Sequence, residues 1–439
     1  MTRPADPAEP SRPHHRRRIL LWTAAALGIT VALAAALTIP KLADEPEEKQ
    51  ASVAMATPAD TFAARSPGPG SFEETQGEPP VPYVAGKVLV VPGRGRFELA
   101  AQASGSMMPL GAPTVIFSPD EEMLLYPTSS FYDVSPSPTR CDVPTGCDGP
   151  GEPVAHTPSL RLFDLSANRD TLFEDGARSA AWRRDGAIAY VKGIHREIDP
   201  EPSPGEPAYP GHVYVRNGPS GPPVRWTTRA DEYTVIAWAG DSLVVLLPKG
   251  TSQTLLVLDG PGRQRTLGEW EFPMGISPDG RTILLLAGAA LDTPSVKLVL
   301  KRVADGGVEA SVDLAMLAEK HHQYLLHSFM AGSWVGERAA LGNGDGIGVF
   351  RTSGGTIELE KALAFDPGQM SDLLEMGLSG DLRTVAFAGF SPAGPGAPEF
   401  ASGAQRLGWC EIKTSRCKAR TLSRGQGWVY FPANISRPV

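Results

Sequence analysis

From Tyr83 onward, short apolar runs alternate with turn-forming clusters, a pattern that predicts strands joined by hairpins. One phrase returns six times: an apolar or aromatic residue, a small turn carrying Asp or Glu, then a hydrophobic strand. Phe117-Ser118-Pro119-Asp120 precedes MLLY, Trp182-Arg183-Arg184-Asp185-Gly186 precedes AIAY, and Trp238-Ala239-Gly240-Asp241 precedes LVVLL. Ile276-Ser277-Pro278-Asp279-Gly280 precedes TILLL, Trp334-Val335-Gly336-Glu337 precedes AAL, and Leu378-Ser379-Gly380-Asp381 precedes TVAF. The Asp-Gly and Gly-Asp steps supply the positive φ of hairpin turns, so the acidic residues are expected to serve structure.

The acidic positions lie 65, 56, 38, 58 and 44 residues apart. The shortest interval suits one four-stranded propeller blade, about 40–50 residues long. Longer intervals require insertions, for which residues 127–158, 194–210 and 310–322 are candidates, the last read as a short helix. After Trp182, third and fourth strands are expected at 212–218 and 224–227; after Phe117, at 160–165 and 171–174. Strands at 87–91, 96–100 and 427–431 are left over. Combined from both termini they would make a seventh blade, preferred over a six-bladed ring because closure removes exposed sheet edges.

The repeated phrase resembles that of the bacterial TolB-like, WD-repeat-like β-propellers, which centre on Trp/Phe-Ser-Pro-Asp-Gly followed by a hydrophobic strand. The Phe117 and Ile276 copies match closely and the Trp334 and Leu378 copies loosely. The resemblance implies an all-β fold of four-stranded blades over residues 83–439, with Phe117, Asp120, Trp182, Asp185, Trp238, Asp241, Asp279, Trp334 and Asp381 as its structural anchors. It implies little about activity, because propellers host many. TolB-like propellers also precede α/β-hydrolase domains in prolyl-oligopeptidase-like enzymes, which need a Gly-x-Ser-x-Gly elbow. The nearest string here, Gly275-Ile276-Ser277-Pro278-Asp279, is the repeat turn itself, and no room for a second domain is expected after Val439.

The N-terminal pattern is different. Residues 19–39 are 21 consecutive uncharged, mostly apolar positions, long enough as a helix to cross about 30 Å of hydrocarbon. Residues 1–18 carry five Arg against Asp6 and Glu9, a formal +3. The positive flank predicts a cytoplasmic tail, a transmembrane helix at 19–39 and an extracytoplasmic body. A cleaved signal peptide is the alternative, since Ala32-Leu33-Ala34 and Ala34-Ala35-Ala36 fit its cleavage pattern; the length of the apolar run favours a retained anchor. Residues 40–82, rich in Pro, Ala, Glu and Gly, read as a disordered stalk.

Composition agrees with this division. Of 439 residues, 47 are Gly and 42 Pro, well above average usage and suited to a turn-rich β protein with linkers. The net charge of −8 becomes −11 once the +3 tail is set apart, which argues against nucleic acid as a partner. Four cysteines form two close pairs, Cys141 with Cys147 and Cys410 with Cys417. Intervals of five and six residues suit local disulfides in an exported protein better than zinc.

Candidate chemistry is sparse. His321, His322 and His327 form a dense group whose nearest acid is Glu319, and a solvated helix end explains them. Residues 342–348 (GNGDGIG) lack the Lys-Ser/Thr of a phosphate loop and the ligand spacing of a calcium loop, so a hairpin is expected there. Gly93-Arg94-Gly95-Arg96 reads as a basic hairpin tip. The recurring Asp residues could serve as paired glycosidase carboxylates only if they lined the channel. The expectation is therefore a noncatalytic, monomeric, membrane-tethered binding or scaffold module without a cofactor, taking a protein, peptide or cell-envelope ligand on one flat face. The alternative is an extracytoplasmic lactonase- or glycosidase-like hydrolase with its site at the central funnel.

Overall fold

Every hydrophobic run that follows an acidic turn is the second of four consecutive antiparallel strands in a sheet. Such strands have protein on both faces, which explains why they read as continuous apolar runs; MLLYP, AIAYV and TILLL are buried along most of their length. The computed structural model describes residues 71–103, 114–128, 158–193, 210–249, 252–269, 271–288, 296–314, 331–366, 369–370, 372–392, 402–423 and 428–433.

The chain begins with β1 (Glu73–Glu74), β2 (Tyr83–Ala85), β3 (Val88–Val91) and β4 (Gly95–Glu98). Blade 1 follows as β5 (Ile116–Phe117), β6 (Met123–Pro127), β7 (Ser159–Asp164) and β8 (Arg169–Asp175). Blade 2 comprises β9 (Ala177–Trp182), β10 (Ala187–Gly193), β11 (Gly211–Asn217) and β12 (Val224–Arg225). Blade 3 is β13 (Thr234–Ala239), β14 (Ser242–Lys249), β15 (Ser252–Leu258) and β16 (Gln264–Glu269). Blade 4 is β17 (Glu271–Ile276), β18 (Thr282–Ala287), β19 (Lys297–Arg302) and β20 (Val308–Asp313). Blade 5 holds β21 (Ala331–Val335), β22 (Arg338–Asn343), β23 (Gly346–Arg351) and β24 (Glu358–Ala364). Blade 6 holds β25 (Asp372–Leu378), β26 (Thr384–Pro392), β27 (Ser402–Glu411) and β28 (Arg416–Thr421). The last strand, β29 (Val429–Tyr430), pairs with β2 and completes blade 7 in the order β29-β2-β3-β4.

The molecule is thus a seven-bladed all-β propeller whose seventh blade joins both ends of the described chain. The first strands of successive blades neighbour one another around the axis, and Ile116 bridges Ala433 in parallel where blades 7 and 1 meet. Apolar side chains fill the seams between blades: Phe117, Leu124 and Phe163 of blade 1 pack with Val84, Leu89 and Tyr430 of blade 7.

Two expectations need correction. The propeller domain does not start at Tyr83, and the proposed stalk, 40–82, is too long at its C-terminal end. Phe72 is buried against Phe365 and Phe387, and β1 adds in parallel to the outer edge of β28. Val81 is also fully buried. A polar, Glu-rich stretch here covers a sheet edge, with Arg406 paired to Glu74. The short helix expected over 310–322 is also wrong in its first turn, because Ala310–Asp313 belong to β20. Ala310 and Val312 alternate on its packed face with a period of two.

Cys410 and Cys417 stand opposite each other on β27 and β28, with Cα atoms 4.0 Å apart, and are disulfide-bonded. Cys141, Cys147, His321, His322, His327 and the apolar segment 19–39 lie outside the described residues. Among the described residues no helix is long and apolar enough to cross a membrane.

Candidate functional site

Strand direction gives the ring two unlike faces. Neighbouring strands within each blade are antiparallel, so turns after first and third strands share one face and turns after second and fourth strands share the other. Connections on the first face, the turn face, are all two to six residues long. On the opposite face they reach 31 residues between Pro127 and Ser159, and 17 residues each after Gly193, Glu98 and Asp313.

The sequence-identified acidic residues all belong to the turn face. In three copies the turn is clasped identically. Ser118 Oγ donates to Asp120 (2.5 Å), Ser277 Oγ to Asp279 (2.6 Å) and Ser379 Oγ to Asp381 (2.6 Å). Each serine Oγ also accepts the backbone N–H that opens the next strand, at 2.9 Å from Met123, Thr282 and Thr384. These serine hydrogen bonds hold the carboxyls of Asp120 and Asp279 below the usual range. Burial opposes the shift at Asp381, where the Ser379 and Arg383 hydrogen bonds still prevail.

In blade 2 an arginine replaces the serine: Arg183 forks onto Asp185, reaches Asp241 at 3.0 Å and stacks 4.7 Å from the Trp238 ring. Gly240-Asp241 and Gly336-Glu337 are two-residue turns whose glycines have φ of 61° and 58°. The aromatic anchors lie just inside these turns. Phe117 is fully buried, Trp182 and Trp238 are buried, and Trp334 is half-buried with its indole N–H on Thr352 Oγ1 at 2.9 Å. These acidic residues hold their own turns and form no carboxylate pair in the channel. The glycine run at 342–348 is the β22–β23 hairpin, and Gly93-Arg94 is the β3–β4 tip.

Sequence reading missed a second recurring device, a buried tyrosine whose hydroxyl meets a carboxylate and an arginine. Tyr126 donates to Asp170, which accepts from Arg161 at 2.8 Å and from the Ala100 N–H at 2.8 Å. Tyr190 joins Glu174 and Arg216, the latter at 3.0 Å from the hydroxyl. Tyr83 donates to Glu78 and accepts from Arg420 at 2.6 Å. Burial raises all three tyrosines, Tyr190 to about 12, so they remain neutral donors. The Tyr190 and Tyr83 triads join blade 1 to 2 and blade 6 to 7, and Asp170 ties blade 1 to the strand end of blade 7.

The channel wall is different again. Inner strands carry Ala180, Ala237, Gly275, Gly332 and Gly377; their acids are Glu271, which is buried and paired with Lys301, Asp372 at the start of β25, and Glu375. An extra residue, Leu374, bulges β25 between the pairs Leu373–Gly389 and Glu375–Ala388. Glu375 keeps partial solvent access, yet burial pushes its carboxyl up to about 8. A carboxyl on an inner strand, on the sheet face toward the next blade, has both properties: water reaches it in part, while surrounding protein withholds the bulk dielectric. It has no hydrogen-bond or ion-pair partner among the described residues. Nearby, Trp428 is 39% exposed and meets Phe390 edge-on, with ring centroids 5.7 Å apart. Among the described residues no three His, Cys, Asp or Glu side chains converge as metal ligands would.

Solved structures with a similar chain path include one described as a β-propeller domain. TolB from Acinetobacter baumannii shares 12% identity over 80% of this chain and 64% of its own, with a TM-score of 0.36. The β-propeller domain of the Trilobed protease from Pyrococcus furiosus shares 11% identity over 68% of this chain and 81% of its own, with a TM-score of 0.39. Acylaminoacyl peptidase from Pyrococcus horikoshii shares 13% identity over 76% of this chain, with a TM-score of 0.46. The chain spans about half the length of that peptidase, 47% of which is covered. No family model and no curated protein matches the chain. These likenesses concern the fold; the blade count rests on the strand pairing itself.

Proposed function

We propose that this propeller is a noncatalytic, extracytoplasmic binding or scaffold module, tethered through residues 19–39, that receives a protein, peptide or cell-envelope partner on the face opposite the clasped turns. The observation that carries this reading is the asymmetry of the faces. All connections longer than six residues leave strand ends on one side, and loops displayed by a rigid ring are a common recognition surface. The small residues of the inner strands agree with it, since they supply a wall and no set of reacting groups.

A hydrolase at the funnel is the second reading, and Glu375 is what favours it, because a carboxyl pushed up to about 8 suits a general acid. Such a reaction also needs a nucleophile or a water-activating group, and no described side chain is bonded to Glu375. The test is capture from a cell-envelope extract with the full-length chain in detergent. A stoichiometric partner is expected, lost when residues 394–400 and 130–156 are replaced by short Gly-Ser connections. Recovery of none, together with hydrolysis of an ester or glycoside panel that Glu375→Gln abolishes, would reverse the ranking.

A further inference from the structure

The bulge in β25 gives Glu375 unusual company. Glu375 lies opposite Ala388 on β26, so Phe390, two residues further, is its diagonal neighbour on the same sheet face, about 7–8 Å away by strand geometry. That face looks toward blade 7: Gly377, two residues beyond Glu375, has Phe431 side-chain atoms 2.8–3.1 Å from where a Cβ would stand. Trp428 lies three residues before Phe431, at the end of the inner strand nearest the long connections, and packs on Phe390. The facing surfaces are Ala386, Ala388 and Phe390 from β26, and Trp428, Val429 and Phe431 from blade 7. These side chains are uncharged; by register Asp372 stands opposite Phe390 at the same end of the face, and Arg420, bonded to Tyr83, lies further out on it. Glu375 is thus set among aliphatic and aromatic groups, with partial access to water and, among the described residues, no cationic partner.

Such a carboxyl is costly to ionise unless a positive charge arrives from outside. A ligand that brings the charge on an alkyl stem would satisfy the carboxylate, pack on the aromatic pair and gain cation–π attraction. We propose that Glu375, Phe390 and Trp428 form a subsite for a primary ammonium group, carried by a partner peptide, at the channel mouth between blades 6 and 7. The proposal rests on the binding-module reading and adds the chemistry recognised at one point of the face. Either a lysine side chain or an amino terminus has that chemistry. The ammonium binds the ionised carboxylate, so binding releases a proton, and affinity falls about tenfold per pH unit below about 8.

The experiment is calorimetric titration of the full-length chain in detergent with three probes: Nα-acetyl-lysine amide, alanyl-alanine amide with a free amino terminus, and uncharged Nα-acetyl-norleucine amide. At pH 8.5 one of the two ammonium probes is expected to bind at least tenfold more tightly than the norleucine probe, and which one identifies the source. Glu375→Gln should remove that preference while keeping the wild-type thermal melt at pH 5, and Trp428→Leu should weaken binding of the ammonium probe. Equal binding of charged and uncharged probes by the wild-type chain, or a preference indifferent to pH between 6 and 8.5, overturns the subsite whatever the variants do. An envelope partner still captured by Glu375→Gln would overturn the subsite yet leave the binding module standing, whereas failure to capture any partner tells against the module alone.

Discussion

The same strands end at both faces of the ring, yet the two faces obey different rules. On the turn face the chain must reverse within two to six residues, and the turns after the first strands are built from recurring side-chain roles. Serine and aspartate clasp the backbone, glycine takes positive φ, and an aromatic or aliphatic anchor plugs the seam behind. Across the ring, strands are joined by anything from one residue to 31, and among the described residues there no comparable serine–aspartate clasp recurs. Fold information is therefore concentrated on one face, which frees the other to vary in length and chemistry. A ring that divides its labour this way can vary one face without changing how it folds.

The largest effects should come from the anchors behind the clasps. Phe117, 1% exposed and wedged between blades 7 and 1, should cost about 3–5 kcal/mol when changed to alanine, read by urea unfolding. A loss below about 1 kcal/mol would show that the seam tolerates a cavity and that the turn face is not where stability resides. Gly280 sharpens the point. Its φ is 71°, and an added Cβ would fall 2.4 Å from the Gly240 backbone nitrogen and 2.9 Å from the Ala239 carbonyl carbon in the neighbouring blade. Gly280→Ala should therefore cost about 3 kcal/mol, through backbone strain plus displacement of the blade 3 turn. Gly93 has a similar φ of 76° with nothing within 4 Å, so Gly93→Ala should cost only about 1 kcal/mol. Equal losses at the two glycines would mean that inter-blade contact contributes nothing at the clasp.

Glu375 gives the contrasting prediction away from the turn face. Its carboxyl is raised from an ordinary 4.5 to about 8, so the folded chain holds a proton that the unfolded chain releases. Between those two values stability must fall as pH rises, because the unfolded state binds fewer protons. Glu375→Gln should then melt like the wild type at pH 4 and be more stable at pH 9, by about 1–3 kcal/mol once partial solvent access is allowed for. A variant less stable than wild type at pH 9 would mean that the carboxylate has a cationic partner.

What the sequence made legible was local. A recurring Ser-x-Asp before an apolar run describes a turn and the strand after it within ten residues, and those elements were recoverable, as was the closing blade built from 87–91, 96–100 and 427–431. The tyrosine triads were not recoverable, because Tyr126 and Asp170 stand 44 positions apart and Tyr83 and Arg420 stand 337 apart. Only the ring brings them together. Glu375 sits in DLLEMGL, where strict alternation would put it on the face of Leu373; the extra residue at Leu374 turns it to the opposite face, the one shared with Gly377 and Ala388, and a bulge has no signature in the residue types. Phe72 was hidden for the opposite reason. Its neighbours Glu73 and Glu74 have a linker's composition, and only the uncovered edge of β28 gives them a place in a sheet.

The smallest effect tests the clasp alone. Asp279 accepts from Ser277 Oγ and from the Arg281 N–H at 3.0 Å, and both bonds favour its ionised form. Its folded pKa is therefore depressed below the ordinary 3.8, so its contribution is complete above that value and is lost as pH falls further. The side chain is more than half exposed, which limits the gain. Asp279→Asn should cost about 0.5–1 kcal/mol at pH 7 and almost nothing at pH 2, by thermal melts across that range. An undiminished gap at pH 2 would show that the asparagine side chain itself disturbs the turn, and the charge-assisted clasp would then be the wrong account of why serine and aspartate recur in three of the seven blades.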